Sequence, residues 1–212
     1  MLVTAIKPHK KGKNRLDLFL DGKFTLDLSP IVLEEAGVHA GQDISLSKVE
    51  RLKKADQNQR AMELARRYLV YRPRSEFEVR TRLERYGFEN DVITRTIDRL
   101  RSDGLVDDES FAAFWKQNRL EFSSRSSRLM TQELKQKGIN PEIIAATIAG
   151  IDDEGEAYRA GLRKARSLRT EDFYEFRRKL GAFLHRRGFN YEVIEFMVDR
   201  LWQEKTSEGE NG

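Results

Sequence analysis

The residues of this chain that are best suited to chemistry are its arginines and lysines, which form short clusters between positions 72 and 187. A guanidinium group binds phosphate or carboxylate through two parallel hydrogen bonds, a geometry that a lysine ammonium does not offer. This chemistry predicts a surface for nucleic acid or for an acidic partner protein. The candidate DNA- and partner-binding residues are Arg72, Arg74, Arg119, Arg125, Arg128, Lys135, Lys137, Arg177, Arg178, Arg186 and Arg187.

Residue types that support catalysis or metal binding are scarce. The chain has no cysteine, and its histidines, His9, His39 and His185, do not lie at metal-ligand spacing. The sequence contains no glycine-rich phosphate loop and no Gly-x-Ser-x-Gly nucleophile motif. We therefore expect a protein that is not an enzyme and that uses no cofactor and no metal.

Each basic cluster also has a structural interpretation. Basic residues that alternate with acidic ones along a helix usually form ion pairs in solvent. Arg72 and Arg74 would equally well cap the last carbonyls of the helix before them. Arg177 and Arg178 have fewer acidic neighbours, so contact with a phosphate or an acidic partner is as well supported there as a structural role.

The elements that position these side chains are three internal repeats of about fifty residues. Gly87, Gly138 and Gly188 have matching surroundings: a leucine four residues before, an apolar residue one after, and an acidic residue four after. Other apolar residues match at positions −8, +6, +10 and +13, which is the spacing of two amphipathic helices. Each glycine stands where a helix C-cap requires the left-handed conformation.

A further helix precedes each of these pairs, at about residues 59–70, 109–122 and 156–168. Capping signals agree with this division. Ser75 begins a capping box, and Asn140-Pro141-Glu142 supplies an N-cap, a proline at the first helical position and an acidic first turn. The unit is therefore three short helices, similar to a helix-turn-helix module.

The first section of the chain has strand periodicity. Leucines alternate on both sides of Asp21-Gly22, which predicts a β-hairpin. A two-residue loop would pair Leu20 with Lys23, whereas pairing Leu20 with Phe24 places the apolar side chains on one face. We therefore predict a three-residue loop or a bulge beside Gly22. The expected pairs are Leu20 with Phe24, Leu18 with Leu26, and Leu16 with Leu28.

The predicted fold is mainly α: three tandem three-helix, helix-turn-helix-like repeats in an elongated array, after a small N-terminal hairpin and helix section. The section boundaries are residues 1–59 for the sheet and helix, 60–108, 109–154 and 155–205 for the repeats, and 206–212 for a disordered tail.

Composition restricts the class of protein further. Charged residues make up 35% of the chain and hydrophobic residues 39%, which suits small helical modules with wide charged faces. No apolar run reaches the length of a membrane span, so we expect a cytoplasmic protein without membrane contact. We also expect it to be monomeric. Twelve basic against eight acidic residues between 156 and 205 make the third repeat the most positive section.

Three blocks of this sequence occur in order over about residues 60–205. They are Tyr68-Leu69 with Arg72-Pro73-Arg74-Ser75-Glu76 and Leu83-Glu84-Arg85-Tyr86-Gly87-Phe88; Gly104-Leu105-Val106-Asp107-Asp108-Glu109-Ser110-Phe111-Ala112; and Gln132-Glu133-Leu134-Lys135-Gln136-Lys137-Gly138-Ile139. Together they resemble the RecX family. The family often has glycine before the middle helix of the second repeat, where this chain has Ser123-Ser124-Arg125-Ser126-Ser127.

The resemblance implies a bacterial regulator of the RecA recombinase. Such proteins bind the RecA filament on single-stranded DNA, lodge in its helical groove, and limit filament extension, strand exchange and ATP hydrolysis. They also bind DNA, and they have no catalytic residues. Two alternatives remain from the residues alone: a helix-turn-helix transcriptional regulator of duplex operators, and a protein-interaction scaffold that binds no DNA. Whether double-stranded DNA is also a partner is left open.

Overall fold

A computed structural model of the chain describes residues 1–10 and 14–210, with the backbone alone for 208–210. Within these residues there are three strands and ten helices. The strands are β1 (Val3–Pro8), β2 (Leu16–Leu20) and β3 (Lys23–Leu28). The helices are α1 (Pro30–Glu35), α2 (Leu46–Leu69), α3 (Glu76–Arg85), α4 (Asn90–Ser102), α5 (Asp108–Phe122), α6 (Ser127–Gln136), α7 (Pro141–Ile148), α8 (Asp153–Ser167), α9 (Phe173–Arg186) and α10 (Tyr191–Glu210).

The three strands form one antiparallel sheet in the order β1-β2-β3. The predicted pairs Leu18 with Leu26 and Leu16 with Leu28 are confirmed, but the pairing of Leu20 with Phe24 is wrong, because Leu20 pairs with Lys23. The irregularity in register lies after Leu18, not beside Gly22.

The physical reason is that a bulge inside the ladder restores the leucine face without lengthening the loop. Asp21 and Gly22 have φ values of 48° and 79°, the left-handed conformations that a tight two-residue hairpin turn requires. Phe24 is consequently turned out of the core face and is 55% exposed, where it meets Phe19 edge to face at 6.0 Å.

Polar groups join the sheet to the helix behind it. Arg15 donates from Nε to Asp27 at 2.7 Å and from Nη1 to Asp56 of α2 at 2.7 Å. Asp56 is only 4% exposed and also accepts the backbone N–H of Ser29 at 2.8 Å. A buried carboxylate is stable only when its lone pairs are used in this way. These bonds hold the end of the hairpin against α2.

The predicted glycine C-caps are confirmed in all three repeats. Gly87, Gly138 and Gly188 have φ values of 78°, 74° and 89°. The amide after each glycine donates to the carbonyl of the leucine four residues before it, the bond that defines a Schellman motif. The predicted N-caps are confirmed too: Ser75 Oγ accepts from the amide of Glu78, and Asn140 Oδ1 from that of Glu142.

Each three-helix group has its own apolar core, and the predicted register positions fill it. Val79 and Leu83 are fully buried in the first group, Met130 and Leu134 in the second, and Leu180 in the third. The cores are separate because each amphipathic helix has one apolar stripe, which it buries against the other helices of its own group. The α10 helix continues to Glu210, into the segment that sequence predicts as a disordered tail, and residues 211 and 212 lie outside the described part.

By its contacts the chain forms two compact units, residues 1–72 with 79–106, and residues 73–78 with 107–212. Inside the second unit, the start of α3 packs on the glycine turn that follows α6. Ser75 Oγ donates to the carbonyl of Lys137 at 2.7 Å, and the amide of Glu76 donates to Asp108 at 2.9 Å. A Cβ on Gly138 would lie 2.7 Å from Cγ of Phe77, so this contact requires glycine.

The same construction recurs one repeat later. The start of α6 packs on the glycine turn after α9, where the amide of Ser126 donates to the carbonyl of Arg187 at 3.0 Å. The amide of Ser127 donates to Asp153 at 2.7 Å. A Cβ on Gly188 would lie 2.5 Å from Cβ of Leu129. Within the second unit, the same set of contacts is therefore made twice, once at the start of α3 and once at the start of α6.

Candidate nucleic-acid and partner interface

The structure separates the predicted binding residues into those with internal partners and those that face solvent. Lys137 donates to Glu78 at 2.7 Å, and Arg74 lies 3.9 Å from the same carboxylate, whose side chain is 11% exposed. The Lys137 ammonium also lies 5.2 Å from the ring centre of Trp115. These ion pairs link α6 to residues 74 and 78 within the second unit.

Glu133 of α6 collects a second group of cations. Arg119 donates to Oε2 at 2.8 Å and Trp115 donates from its indole nitrogen at 2.7 Å, while Arg125 donates to Oε1. The guanidinium of Arg119 lies 4.3 Å from the Trp115 ring centre. Because the Glu133 side chain is 12% exposed, its charge is neutralised mainly by these neighbours. Arg119 is thus part of the folded framework of the second repeat.

Arg187 enters the joint before α6, which we call the serine joint (residues 123–127). Its Nη1 donates to the carbonyls of Ser123 and Ser124, and its guanidinium lies 4.4 Å from the ring centre of Phe183. Ser124 is fully buried and has a φ of 26°, a conformation that glycine adopts more readily. The joint therefore keeps a glycine-like backbone although serine occupies it, and Arg187 holds its carbonyls.

Arg163 of α8 also reaches the serine joint, where it donates to Ser124 Oγ at 3.2 Å. Burial lowers the pKa of the Arg187 guanidinium from its ordinary value, and the positive charges of Arg125 and Arg163 lower it further. Arg163 is not among the binding residues predicted from the sequence. Its approach to residue 124 depends on tertiary packing.

The remaining solvent-facing cations lie mainly around a groove between α9 and α10. The groove has a volume of about 560 Å³. Arg178 and Arg186 are exposed at its rim, and within the described residues neither has a carboxylate at ion-pair distance. Tyr174 and Tyr191, 77% and 69% exposed, line it as well. We call this surface the tyrosine–arginine groove; its lining is Tyr174, Arg177, Arg178, Gly181, Ala182, His185, Arg186, Tyr191, Ile194, Glu195 and Val198.

Arg177 differs from its neighbours in this groove. It donates to Glu195 of α10 and to the hydroxyl of Tyr191, and the hydrogen bond to Glu195 raises the pKa of this arginine. Gly181 lies in the floor, where an added Cβ would meet only Cγ2 of Ile194, at 3.6 Å. A helical glycine without a steric requirement leaves the floor open. Arg178 and Arg186, rather than Arg177, are therefore the cations available to a ligand.

Tyrosines of this groove were not selected from the sequence. Tyr174 stands one turn before Arg178 on α9, outside the apolar stripe of Phe176 and Leu180, and this offset was the signal available. The other predicted residues are dispersed. Arg72 is half-buried between α2 and α3, Lys135 is exposed on α6, and exposed Arg128 donates to the carbonyl of Gly188 at 3.3 Å.

No helix in residues 1–10 and 14–210 combines the length and apolar character needed to cross a membrane. The same residues contain no group of three or more histidine, aspartate or glutamate side chains placed to hold a metal ion. A larger cavity, of about 1000 Å³, lies beside Trp202 and the segment 168–172. Arg169 and Lys205 both line this cavity. Lys205 donates to the carbonyls of Leu168 and Thr170 and so stabilises that segment.

Comparison with known proteins agrees with the three-helix division. Three family models match in order along the chain: RecX, first three-helix domain, at residues 61–100; RecX, second three-helix domain, at 107–148; and RecX, third three-helix domain, at 152–197. Each model spans one glycine-centred unit.

Individual relatives extend the match over the N-terminal section. The regulatory protein RecX of Lactobacillus johnsonii is 33% identical over 98% of this chain and 77% of its own length. That of Mycobacterium marinum is 37% identical over 69% of this chain and 88% of its own. A crystal structure of a regulatory protein RecX has the same fold, with a TM-score of 0.67 at 23% identity, covering 93% of this chain and 98% of that one. The chain belongs to the RecX family of regulatory proteins.

Proposed function

We propose that this protein regulates a RecA-type recombinase by binding its filament on single-stranded DNA and limiting recombination and ATP hydrolysis. Family membership supports the class of protein. The observation that carries the DNA part of the proposal is the tyrosine–arginine groove, which is lined by two exposed tyrosines and by two arginines that lack carboxylate partners within the described residues.

Single-stranded nucleic acid is bound by just such a combination. Aromatic rings stack on unpaired bases, each stack contributing roughly 1–3 kcal/mol, and cations follow the phosphate backbone. Tyr174 and Tyr191 present their rings to solvent, and Arg178 and Arg186 lie beside them at the groove rim. In duplex DNA the base faces are already stacked, so exposed tyrosines favour a single strand over a double strand as the ligand.

The first experiment measures RecA-catalysed ATP hydrolysis on single-stranded DNA with increasing amounts of the purified protein. We expect suppression at substoichiometric ratios, because a protein that limits filament extension acts on many RecA subunits at once. Unchanged hydrolysis at an equimolar ratio of the protein to RecA contradicts the proposal.

A second experiment tests the groove. The double variant Arg178→Glu, Arg186→Glu reverses two charges, and the control Arg166→Glu, Arg169→Glu reverses two exposed charges of the same repeat outside the groove. We expect the first variant to lose single-stranded DNA binding and to reduce the magnitude of the salt-dependence slope by about 1.4, since each lost phosphate contact with a single strand reduces it by about 0.7. Equal losses in both variants rule out the groove as the DNA surface.

The DNA-binding titrations also distinguish the proposal from the alternative of a duplex operator-binding regulator. Binding to single strands that is salt-sensitive and independent of sequence supports the filament proposal. A preference for one duplex sequence that persists at moderate salt would support the alternative. Absence of DNA binding at low salt would leave the protein-interaction scaffold.

A further inference from the structure

The serine joint brings together three arginines from three different segments of the chain. Arg125 belongs to the joint itself, Arg163 comes from α8 and Arg187 follows α9. Arg163 and Arg187 contact the same residue, Ser124, one through its hydroxyl and the other through its carbonyl. Arg163 and Arg187, which follow Ser124 by 39 and 63 positions in the sequence, thus contact the same residue.

Positive charge at this point exceeds negative charge. Glu133 accepts hydrogen bonds from Arg125 and from Arg119, so its single charge is shared. Asp153, the other carboxylate in contact with the joint, binds the amide and hydroxyl of Ser127 at 2.7 and 2.8 Å. Within the described residues, Arg163 and Arg187 have no carboxylate within ion-pair distance. Like charges gathered beside a half-buried guanidinium disfavour its ionised form unless an anion joins them.

Hydrogen-bond donors remain at all three guanidinium groups. Among the described residues, Arg187 donates only from Nη1, Arg163 only from Nη2 and Arg125 only from Nη1, although each group carries five N–H donors. The plane of Arg187 is held beside the Phe183 ring, which orients its remaining donors. The buried hydroxyl of Ser123 also has no hydrogen-bond partner in the described part of the chain.

We propose that the serine joint is a binding site for one phosphate group, held by Arg125, Arg163 and Arg187. A tetrahedral dianion or a phosphodiester offers several acceptor oxygens, which matches donors that approach from three segments. The bound group would neutralise the like charges and tie the start of α6 to α8 and to the turn after α9. This site is distinct from the tyrosine–arginine groove and does not rest on the proposed function.

Binding is tested by isothermal titration of inorganic phosphate into the full-length protein in chloride buffer of constant ionic strength. The variant is Arg163→Gln, because Arg163 is exposed and its only recorded contact is with Ser124. The matched control is Arg166→Gln, an exposed arginine one turn further along α8. We expect saturable binding to the wild type, about tenfold weaker binding to the variant, and unchanged binding to the control.

Two outcomes would overturn the proposal of a phosphate site at the serine joint. One is heat exchange no larger than that of chloride at the same ionic strength. The other is an equal loss of affinity in both substitutions, which indicates diffuse attraction. Should Arg163→Gln fail to fold, the wild-type titration remains decisive by itself.

The source of the phosphate is distinguished by competition with a short oligothymidylate. If the oligonucleotide displaces inorganic phosphate from the wild type, the site takes a backbone phosphodiester of nucleic acid. If phosphate binding persists in saturating oligonucleotide, the site takes a free phosphate. Both results require a phosphate site at the joint. Because RecA is absent from every arm, failure here leaves the recombinase proposal standing, and failure of that proposal leaves this one testable.

Discussion

Gly138 performs two tasks that can be separated by substitution. Its backbone has a φ of 74°, in the left-handed region, and its missing side chain admits Phe77 from the start of α3. Gly150 has a nearly identical φ of 76°, but an added Cβ there meets nothing within 4 Å. Both glycines lie in the second unit. Gly138→Ala and Gly150→Ala therefore differ in steric contact and share the conformational cost.

The conformational cost of alanine in the left-handed region is roughly 1–2 kcal/mol, partly offset because alanine restricts the unfolded chain. We expect the free energy of unfolding to fall by about 1 kcal/mol for Gly150→Ala. At Gly138 the new methyl would lie 2.7 Å from Cγ of Phe77, near the backbone end of that side chain. Such overpacking costs about 1–3 kcal/mol more, so the expected total is about 2–4 kcal/mol.

Urea unfolding followed by tryptophan fluorescence measures this difference, since both tryptophans, Trp115 and Trp202, lie in the second unit. Gly188→Ala provides an independent repeat of the test, because its Cβ would lie 2.5 Å from Leu129 Cβ. We expect it to match Gly138→Ala. If all three alanine variants lose the same stability, the glycine turns act only as helix caps. The close approach of Phe77 to Gly138 and of Leu129 to Gly188 then contributes nothing measurable to stability.

Three further substitutions test other contacts. Gly181→Ala should raise the free energy of unfolding by about 1 kcal/mol, because a helical glycine gains propensity and the new Cβ meets Ile194 at an ordinary 3.6 Å; a loss in urea midpoint contradicts this. Glu133→Gln should lower the free energy of unfolding by about 1–3 kcal/mol, since its charge-assisted hydrogen bonds are lost. Unchanged unfolding, detected by tryptophan fluorescence, would contradict the structural role of Glu133. Burial raises the pKa of Asp27, but its hydrogen bond and charge interaction with Arg15 outweigh this and hold the pKa below its usual value. That stabilisation is present above the unfolded pKa of about 3.9 and is lost as pH falls through the lower folded value, so Arg15→Gln should weaken the acid dependence of unfolding measured by circular dichroism at pH 7 and pH 3.

Local patterns predicted much of the fold correctly. The left-handed glycines, the leucine four residues before each one, and the N-caps at Ser75 and Asn140 all depend on residues within one or two helical turns. Such interactions are encoded by spacing, so they can be read without knowing what packs against them. The hairpin register was missed at Leu20 because a bulge within the strand and a longer loop preserve the same leucine face, and the alternation of residues does not distinguish between them.

Which arginines are available to a ligand was decided by tertiary structure alone. Arg119 and Lys137 donate hydrogen bonds to Glu133 and Glu78, which lie 14 and 59 residues away in the sequence. Arg187 donates to the carbonyl of Ser123, which lies 64 residues away. The sequence by itself determined a glycine-centred helical repeat and placed the excess of positive charge in the third repeat. The sequence does not show which carboxylates lie near a given arginine, because these partners come from distant positions in the chain. Packing in the folded protein pairs some guanidinium groups and leaves others exposed.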